Sequence, residues 1–355
     1  MHATDSTEAN TLPAISVEGE RDINAEAKKE IRNVPGGVSI RTAEEYREKS
    51  VIGLGDALAF VPGVYVQRLS GQEATRISIR GSGISSTYVS GIRFLRDGLP
   101  IGRVDDMNQG MLADVVNNDR VEIYRGASSL QYGASSLGGA VNLISSTGYT
   151  SPGVTVRTEV GSNGYLSGQI KAGKVFENGI DTFVSATHYQ ADGFREQSTE
   201  RTSRLYANLG YAFSATSRGR FHLTEERYDG KFPGTLRLAQ IRDNPQMAQS
   251  LFKRLDAYLR ISPRWHMAYQ HELDLDQGDK LSFGVFHTGT KFDSLTPFGR
   301  IFYDETDYGV SMRHEMNRTL GGHKNRFVWG MSYGRGSGDN ALHTPAVVLP
   351  PPFSI

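Results

Sequence analysis

Apolar and polar residues alternate along much of the chain between residues 153 and 335. The pattern is clearest over residues 205–213, 264–275, 281–285 and 327–333, where every second side chain is apolar, with His271 as the exception. A period of two is typical of β-strands with one apolar face. It predicts nine strands in this region. Several of them reach about 10–13 residues, which exceeds the common length of about 5–6 and suits a tilted strand that crosses a membrane.

The links between these predicted strands favour a barrel over a sandwich. Tight turns at 177–179, 215–216 and 277–278 alternate with long links at 192–202, 230–263 and 292–302. Short turns at one rim and long loops at the other describe an outer-membrane barrel, whereas a sandwich gives no reason for that rhythm. The polar face would then line the lumen, and the apolar face would meet lipid.

The region before residue 150 has a different pattern. Short strand signals occur at 37–41, 63–67, 76–80, 92–95, 120–124 and 140–144, and a helical stretch covers 52–60. They predict a small α+β domain over residues 31–150. Its links 82–91 and 102–113 lack periodicity, and long ordered loops of this kind usually bind something. The alternative is that they are ordinary surface loops.

Residues 1–30 are polar and predict a flexible tail without the apolar core of a signal peptide. One apolar island interrupts the tail, formed by Leu12, Pro13, Ala14, Ile15, Ser16 and Val17. Ile15 and Val17 alternate as in a strand, and Pro13 disfavours a helix. The island is either a portable strand that adds to the sheet edge of a partner or a chance apolar hexamer.

The amino-acid composition excludes several classes of function. The chain has 355 residues, 39 Lys and Arg against 39 Asp and Glu, and no cysteine. A net charge of zero argues against a general nucleic-acid binder, and the absence of Cys excludes disulfides and thiolate metal sites. No catalytic motif is present, so we expect no enzyme, no cofactor and no metal site. The acidic segment 274–279 lacks the later Glu of a calcium-binding EF-hand loop and is interpreted as a charged turn.

Four blocks in the first domain carry a family resemblance. They are LGDAL with VPGV at 54–64, ISIRG at 77–81, DGLP at 97–100, and RVEIYRG followed by YGASSLGGAVN within 120–142. In this order and spacing they resemble the plug domain of TonB-dependent outer-membrane receptors. The resemblance implies a membrane β-barrel, antiparallel and of about 22 strands when complete, with an N-terminal α+β plug in its lumen. About nine of those strands are expected in residues 153–355.

The resemblance also implies partners and a location. Such receptors take up a scarce nutrient, most commonly an iron–siderophore or other metal chelate, across the outer membrane of Gram-negative bacteria. Energy comes from TonB with ExbB–ExbD in the periplasm, and lipid surrounds the barrel. The island at 12–17 lies where the family keeps its TonB box, with limits of about 11–18.

The same resemblance suggests site residues. Ligand contacts are expected at the plug apices, and our candidates are Tyr88, Arg103, Asp105, Asp106, Asn108 and Gln109. Arg80 and Arg125 precede glycines in two plug motifs, and the family tends to pair such arginines with barrel carboxylates. For each of these residues the alternative is an ordinary solvated side chain.

The length sets a further expectation. A complete barrel at this strand spacing needs roughly 500 residues, so we expect a truncated barrel. The rival functions are a surface receptor or adhesin that binds without transport, a signalling receptor, and a truncated product without transport activity. A signalling type would carry an extra domain of roughly 80 residues before the TonB box, and only residues 1–11 precede it here.

Overall fold

The computed structural model describes residues 36–343, apart from 48, 72–73, 83–88, 107–113 and 134–135, together with Lys29, Ile31 and Val34. The candidate TonB box at 12–17 lies outside these residues, as do Tyr88, Asn108 and Gln109.

The first part of the chain forms a small mixed domain, called the plug below. Its strands are β1 Gly37–Thr42, β2 Val64–Ser70, β3 Ala74–Ile79, β4 Ile92–Arg96, β5 Leu99–Pro100, β6 Asn118–Arg125 and β7 Gly139–Ser145. Five of them form one sheet in the order β1-β6-β7-β4-β5, in which only β4 and β7 pair in parallel, while β2 and β3 form a separate hairpin.

Two short helices, α1 Ala43–Arg47 and α2 Leu54–Leu58, complete the plug. The predicted helical stretch at 52–60 is therefore shorter than expected. Leu54 and Leu58 face an apolar cluster that also contains Ile77, Ile79 and Ile123. This small core explains why a domain of short strands holds together, because its apolar side chains are removed from water.

The second part forms one antiparallel sheet of nine strands in chain order, called the barrel sheet below. Its strands are β8 Gly153–Val160, β9 Leu166–Val175, β10 Ile180–Ala191, β11 Glu200–Ser214, β12 Ser217–Lys231, β13 Tyr258–Asp274, β14 Lys280–Thr296, β15 Gly299–Leu320 and β16 His323–His343. The expectation of nine strands in a partial antiparallel barrel is confirmed.

The prediction of a long loop at 292–302 is wrong. β14 continues to Thr296, β15 begins at Gly299, and these two residues pair directly. Backbone pairing thus extends both strands to a tight turn at Pro297 and Phe298. Long links remain at 192–199 and at 232–257, and the second contains two helices, α3 Leu238–Asp243 and α4 Ser250–Arg254. None of the helices in the described residues could cross a membrane.

In the barrel sheet the apolar face is exposed and the polar face is covered by the plug, which is the reverse of a sheet in a water-soluble protein. Leu209 and Phe221 are 46% and 43% exposed, whereas Arg204 and Asn208 are each 4% exposed. The apolar side chains thus point away from the plug, and the polar side chains point towards it. This arrangement suits a sheet with lipid on its outer face and polar groups in its lumen.

Candidate functional site

The apex of the plug is joined to the barrel sheet through Arg103. Its guanidinium donates to both carboxylate oxygens of Asp105 at 3.1 and 2.9 Å, and its Nη1 lies 3.0 Å from Oε2 of Glu305 on β15. The same guanidinium lies 5.0 Å from the centre of the Tyr303 ring. Arg103 therefore holds Asp105 and connects this part of the plug to the barrel sheet.

The two acidic candidates beside Arg103 differ in exposure. The side chain of Asp105 is 42% exposed, whereas Asp106 is buried and lies 3.8 Å from the guanidinium of Arg93. Of the three described apex candidates, Asp105 is thus the one most available to a molecule that arrives from the loop side. Its charge is already shared with Arg103, so an incoming group must compete with that pair.

Arg80 and Arg125 lie at a different place. The hydrogen bonds of Arg125 go to the backbone carbonyls of Gly37 and Pro62, both within the plug. The guanidinium of Arg80 lies close to Gly126, where an added Cβ would meet its Nη1 at 2.3 Å. The expected pairing of these two arginines with barrel carboxylates stays a prediction.

Other plug residues, which were not among the candidates from the sequence, also contact the barrel sheet. The buried Arg96 donates to Oγ1 of Thr224 at 3.2 Å, and its guanidinium lies 4.3 Å from the centre of the Tyr206 ring. From the opposite side, Arg264 of β13 donates to the carbonyl of Ile101. The one feature of the sequence that could have indicated a role for Arg96 is its position directly before the turn residues 97–98.

Two barrel arginines also bind carbonyls of the plug segment that follows α1. Arg157 donates to the carbonyl of Lys49 at 2.6 Å, and Arg204 donates to the carbonyl of Ile52 at 2.9 Å. Guanidinium groups bonded to backbone carbonyls satisfy polar groups that would otherwise lose their water. The plug is held by polar contacts rather than by a continuous apolar core.

Among the described residues, a small cluster provides apolar contact between the plug and the barrel sheet. Leu99 of the plug packs with Ala268 and Phe286, and Gly284 faces it. A Cβ at Gly284 would lie 2.5 Å from Cδ2 of Leu99. A glycine is therefore needed at this strand position for the plug to approach so closely.

The link from the plug to β8 is fixed to the lumen wall. The backbone N–H of Gly148 donates to Asp181 at 3.1 Å, and Asn208 donates to the carbonyl of Ser146 at 2.8 Å. Arg220 in turn binds both carboxylate oxygens of Asp181 at 3.0 and 2.8 Å and the amide oxygen of Asn208 at 2.6 Å. The network ties the end of the plug to β10, β11 and β12.

Asp114 forms another polar contact between plug and wall. Its carboxylate accepts from Thr187 of β10 at 2.7 Å and from the N–H of Val116 at 3.2 Å. Burial raises the pKa of this carboxyl above its usual range, although both hydrogen bonds act in the opposite direction. Desolvation of the charged form outweighs the two donors.

We expect Asp114 to make the stability of the protein depend on pH. A carboxyl whose pKa is higher in the folded state binds more protons there, so stability falls as pH rises from about 4 upward through the raised pKa. Replacement of Asp114 by Asn should flatten this part of the profile. Denaturant midpoints measured over this pH range for both proteins test the difference, and parallel profiles would contradict it.

The described residues contain no group of three His, Asp or Glu side chains able to hold a metal ion. The acidic segment 274–279 forms a turn in which Asp279 accepts from Arg318 and from the N–H of Asn317. These contacts agree with its interpretation as a charged turn.

Comparison with known proteins agrees with this architecture. Residues 30–140 match the family described as TonB-dependent Receptor Plug Domain. The iron-regulated outer membrane virulence protein of Vibrio cholerae is 31% identical over 145 residues, which cover 40% of this chain and 21% of that protein. The vitamin B12 transporter BtuB of Vibrio vulnificus is 24% identical over 246 residues, covering 65% of this chain and 39% of the transporter.

The fold is also that of solved structures. The ferric citrate transporter FecA, in its unliganded form, superposes with a TM-score of 0.73 at 16% identity. The match covers 90% of this chain and 51% of FecA. The chain thus spans about half the length of this structure, and its matched segments cover less than half of the two relatives named above.

Proposed function

We propose that this chain, whose residues 30–140 match the plug-domain family of TonB-dependent receptors, serves in the outer membrane of a Gram-negative bacterium in the energised uptake of a scarce nutrient. The proposed nutrient is an iron–siderophore or another metal chelate. Names of the relatives support this class, since they include a ferric citrate transporter and a ferric enterobactin receptor, although vitamin B12 transporters also occur among them.

One observation carries the proposal: the plug is held to the polar face of the barrel sheet mainly by hydrogen bonds and ion pairs. Arg96–Thr224, Asp114–Thr187 and Arg103–Glu305 are of this kind. When such contacts separate, water can satisfy the same groups, whereas a continuous apolar interface would have to expose its surface to water. A domain held in this way suits a gate that must move.

The proposed energy source is TonB with ExbB–ExbD. The segment 12–17 would add as a strand to the sheet edge of TonB, and force on the tail would then reorganise the plug. Nutrient binding is coupled to release of the tail only if the nutrient has different affinities for the state in which the tail is held and the state in which it is released. We propose no nucleic-acid partner and no catalytic step.

The nutrient would bind on the loop side of the plug. Arg103, Asp105 and Asp106 line the described part of this apex, and we propose that Tyr88, Asn108 and Gln109 complete it. The outer loop 232–257 would form the opposite wall. Arg80 and Arg125 remain proposed plug–barrel contacts in the assembled receptor.

We expect Asp105→Asn to change the affinity for the nutrient at least about tenfold, equivalent to about 1.4 kcal/mol. The substitution removes one charge from an exposed apex side chain and frees part of the guanidinium of Arg103. Equilibrium binding to whole cells measures the effect. Glu177→Gln, which alters an exposed carboxyl in the turn between β9 and β10, is the matched control. Equal affinities for the two variants would contradict the placement.

An uptake panel tests the proposed function itself. Cells that express the full-length protein are offered ferric citrate, ferric enterobactin and vitamin B12, with and without an uncoupler of the inner-membrane proton gradient. Accumulation of one compound that ceases with the uncoupler supports energised uptake. Binding without accumulation would favour the alternative, a surface receptor that does not transport.

A further inference from the structure

A groove of about 410 Å³ lies on the outer face of the barrel sheet, across β8 to β12. Two lateral rows of paired residues line it. The row nearer the loop rim consists of Thr158, Gly168, His188, Ser203 and Arg227. The row below it consists of Val156, Ile170, Ala186, Leu205 and Glu225.

Small residues in the middle of these rows create the concavity. Gly168 and Ala186 lie between larger side chains, and a Cβ added at Gly168 would meet nothing within 4 Å. Val156, Ile170 and Leu205 are 68%, 50% and 43% exposed, so they face away from the plug. The groove therefore opens outward, to the surroundings of the barrel rather than to its lumen.

The groove holds both apolar and polar side chains, and one row nearer the rim Val160 and Leu166 are again apolar. Val184, Ala207 and Leu223 continue the sheet below it, and all three are apolar. The row nearer the rim contains His188 and Ser203, whose side chains are joined by a contact of 2.9 Å. An occupant must accordingly be apolar at one end and polar at the other.

Positive charge exceeds negative charge at the polar end. Arg227 pairs with Glu225 at 2.7 Å, and Arg260 pairs with Asp229 at 2.8 Å. Arg201, one row nearer the rim, is exposed and has no ion-pair partner among the described residues. One guanidinium therefore remains available next to the groove.

From this shape and charge we infer that the groove binds an anionic lipid of the surrounding membrane. One acyl chain occupies the space over Gly168 and Ala186, between Val156, Ile170 and Leu205. Its phosphate lies at the rim end, near Arg201 and His188. Such a site holds a single lipid at a defined place on the barrel, which is a binding property separate from nutrient uptake.

Lipid retention by the purified full-length protein tests this inference. The probes are phosphatidylglycerol and a diacylglycerol with the same acyl chains, each added to the detergent-solubilised protein and counted by native mass spectrometry. We expect one phosphatidylglycerol to be retained at least tenfold more strongly than diacylglycerol. Gly168→Leu should reduce this retention at least tenfold because its side chain fills the groove.

Matched variants separate the groove from general effects. Thr306→Leu adds an outward apolar side chain on β15, and Arg335→Gln removes an exposed arginine from β16. Neither should alter retention, whereas Arg201→Gln should reduce the preference for phosphatidylglycerol. Ala186→Leu fills the same groove from another strand and replaces Gly168→Leu if that variant does not fold.

Each result decides one part of the inference. Equal retention in a folded groove-filled variant and in Thr306→Leu would overturn the site. Equal retention of the two probes by the unaltered protein would overturn the role of the phosphate. Uptake of the nutrient is not measured here, so a failure of the proposed transport function would leave these outcomes unchanged.

Discussion

Removal of residues 12–17 should abolish energised uptake while nutrient binding at the cell surface is retained. The proposed apex site lies on the loop side of the plug, whereas the tail enters the plug at β1, so the two steps use different parts of the molecule. Loss of uptake should be essentially complete, because without the added strand no force reaches the plug. Transport of the labelled chelate and its equilibrium binding are measured on the same cells.

Deletion of residues 4–9 is the matched control, since it shortens the same tail by an equal length and leaves the apolar island intact. It should support uptake close to that of the unaltered protein. Continued uptake after loss of 12–17 would show that the TonB contact lies elsewhere. Loss of both binding and uptake would instead indicate that the tail is needed for assembly.

The second large effect is expected at Asp181. Its carboxylate is 4% exposed, binds Arg220 through two hydrogen bonds and accepts from the N–H of Gly148. Asp181→Ala leaves the charge of Arg220 without this partner and frees the N–H. Breaking a buried pair of this kind costs about 3–5 kcal/mol. Denaturant unfolding of the full-length protein in detergent measures the change in free energy of unfolding.

Asp304→Ala provides the comparison. Asp304 forms an ion pair with Lys291 at 3.1 Å, and both side chains are about half exposed, at 44% and 57%. Exposed pairs contribute less than about 1 kcal/mol. If both variants lose the same small amount of stability, the network around Asp181 does not hold the link in the way its geometry indicates.

The sequence was most informative where structure depends on neighbouring residues. The alternation over 204–213 predicts which side chains face the lumen, and Arg204 and Asn208 are indeed buried against the plug. The alternation of side chains along a strand depends only on neighbouring residues, so it can be predicted without knowledge of the rest of the fold. The motifs at 54–64 and 120–142 likewise indicate the plug domain, although they do not indicate its sheet order.

Contacts between segments that are far apart in the sequence could not be predicted from the residue pattern. Nothing in the local sequence indicates that Arg96 meets Thr224 or that Asp181 meets Gly148, because these pairs depend on how the plug is rotated against the wall. The pairing of β14 with β15 over 292–302 was missed for another reason. Polar, proline and glycine residues are interspersed with apolar residues over 292–302, and such a stretch resembles a loop when only hydrophobicity is considered.

The position of β1 at the edge of the plug sheet has a mechanical consequence. Among the described residues, β1 pairs only with β6, through six residue pairs, and no described strand precedes it. A force applied through the tail would therefore act first on the hydrogen bonds between β1 and β6. Its rupture would leave the pairing of β6, β7, β4 and β5 intact, so that the plug could yield stepwise from one side.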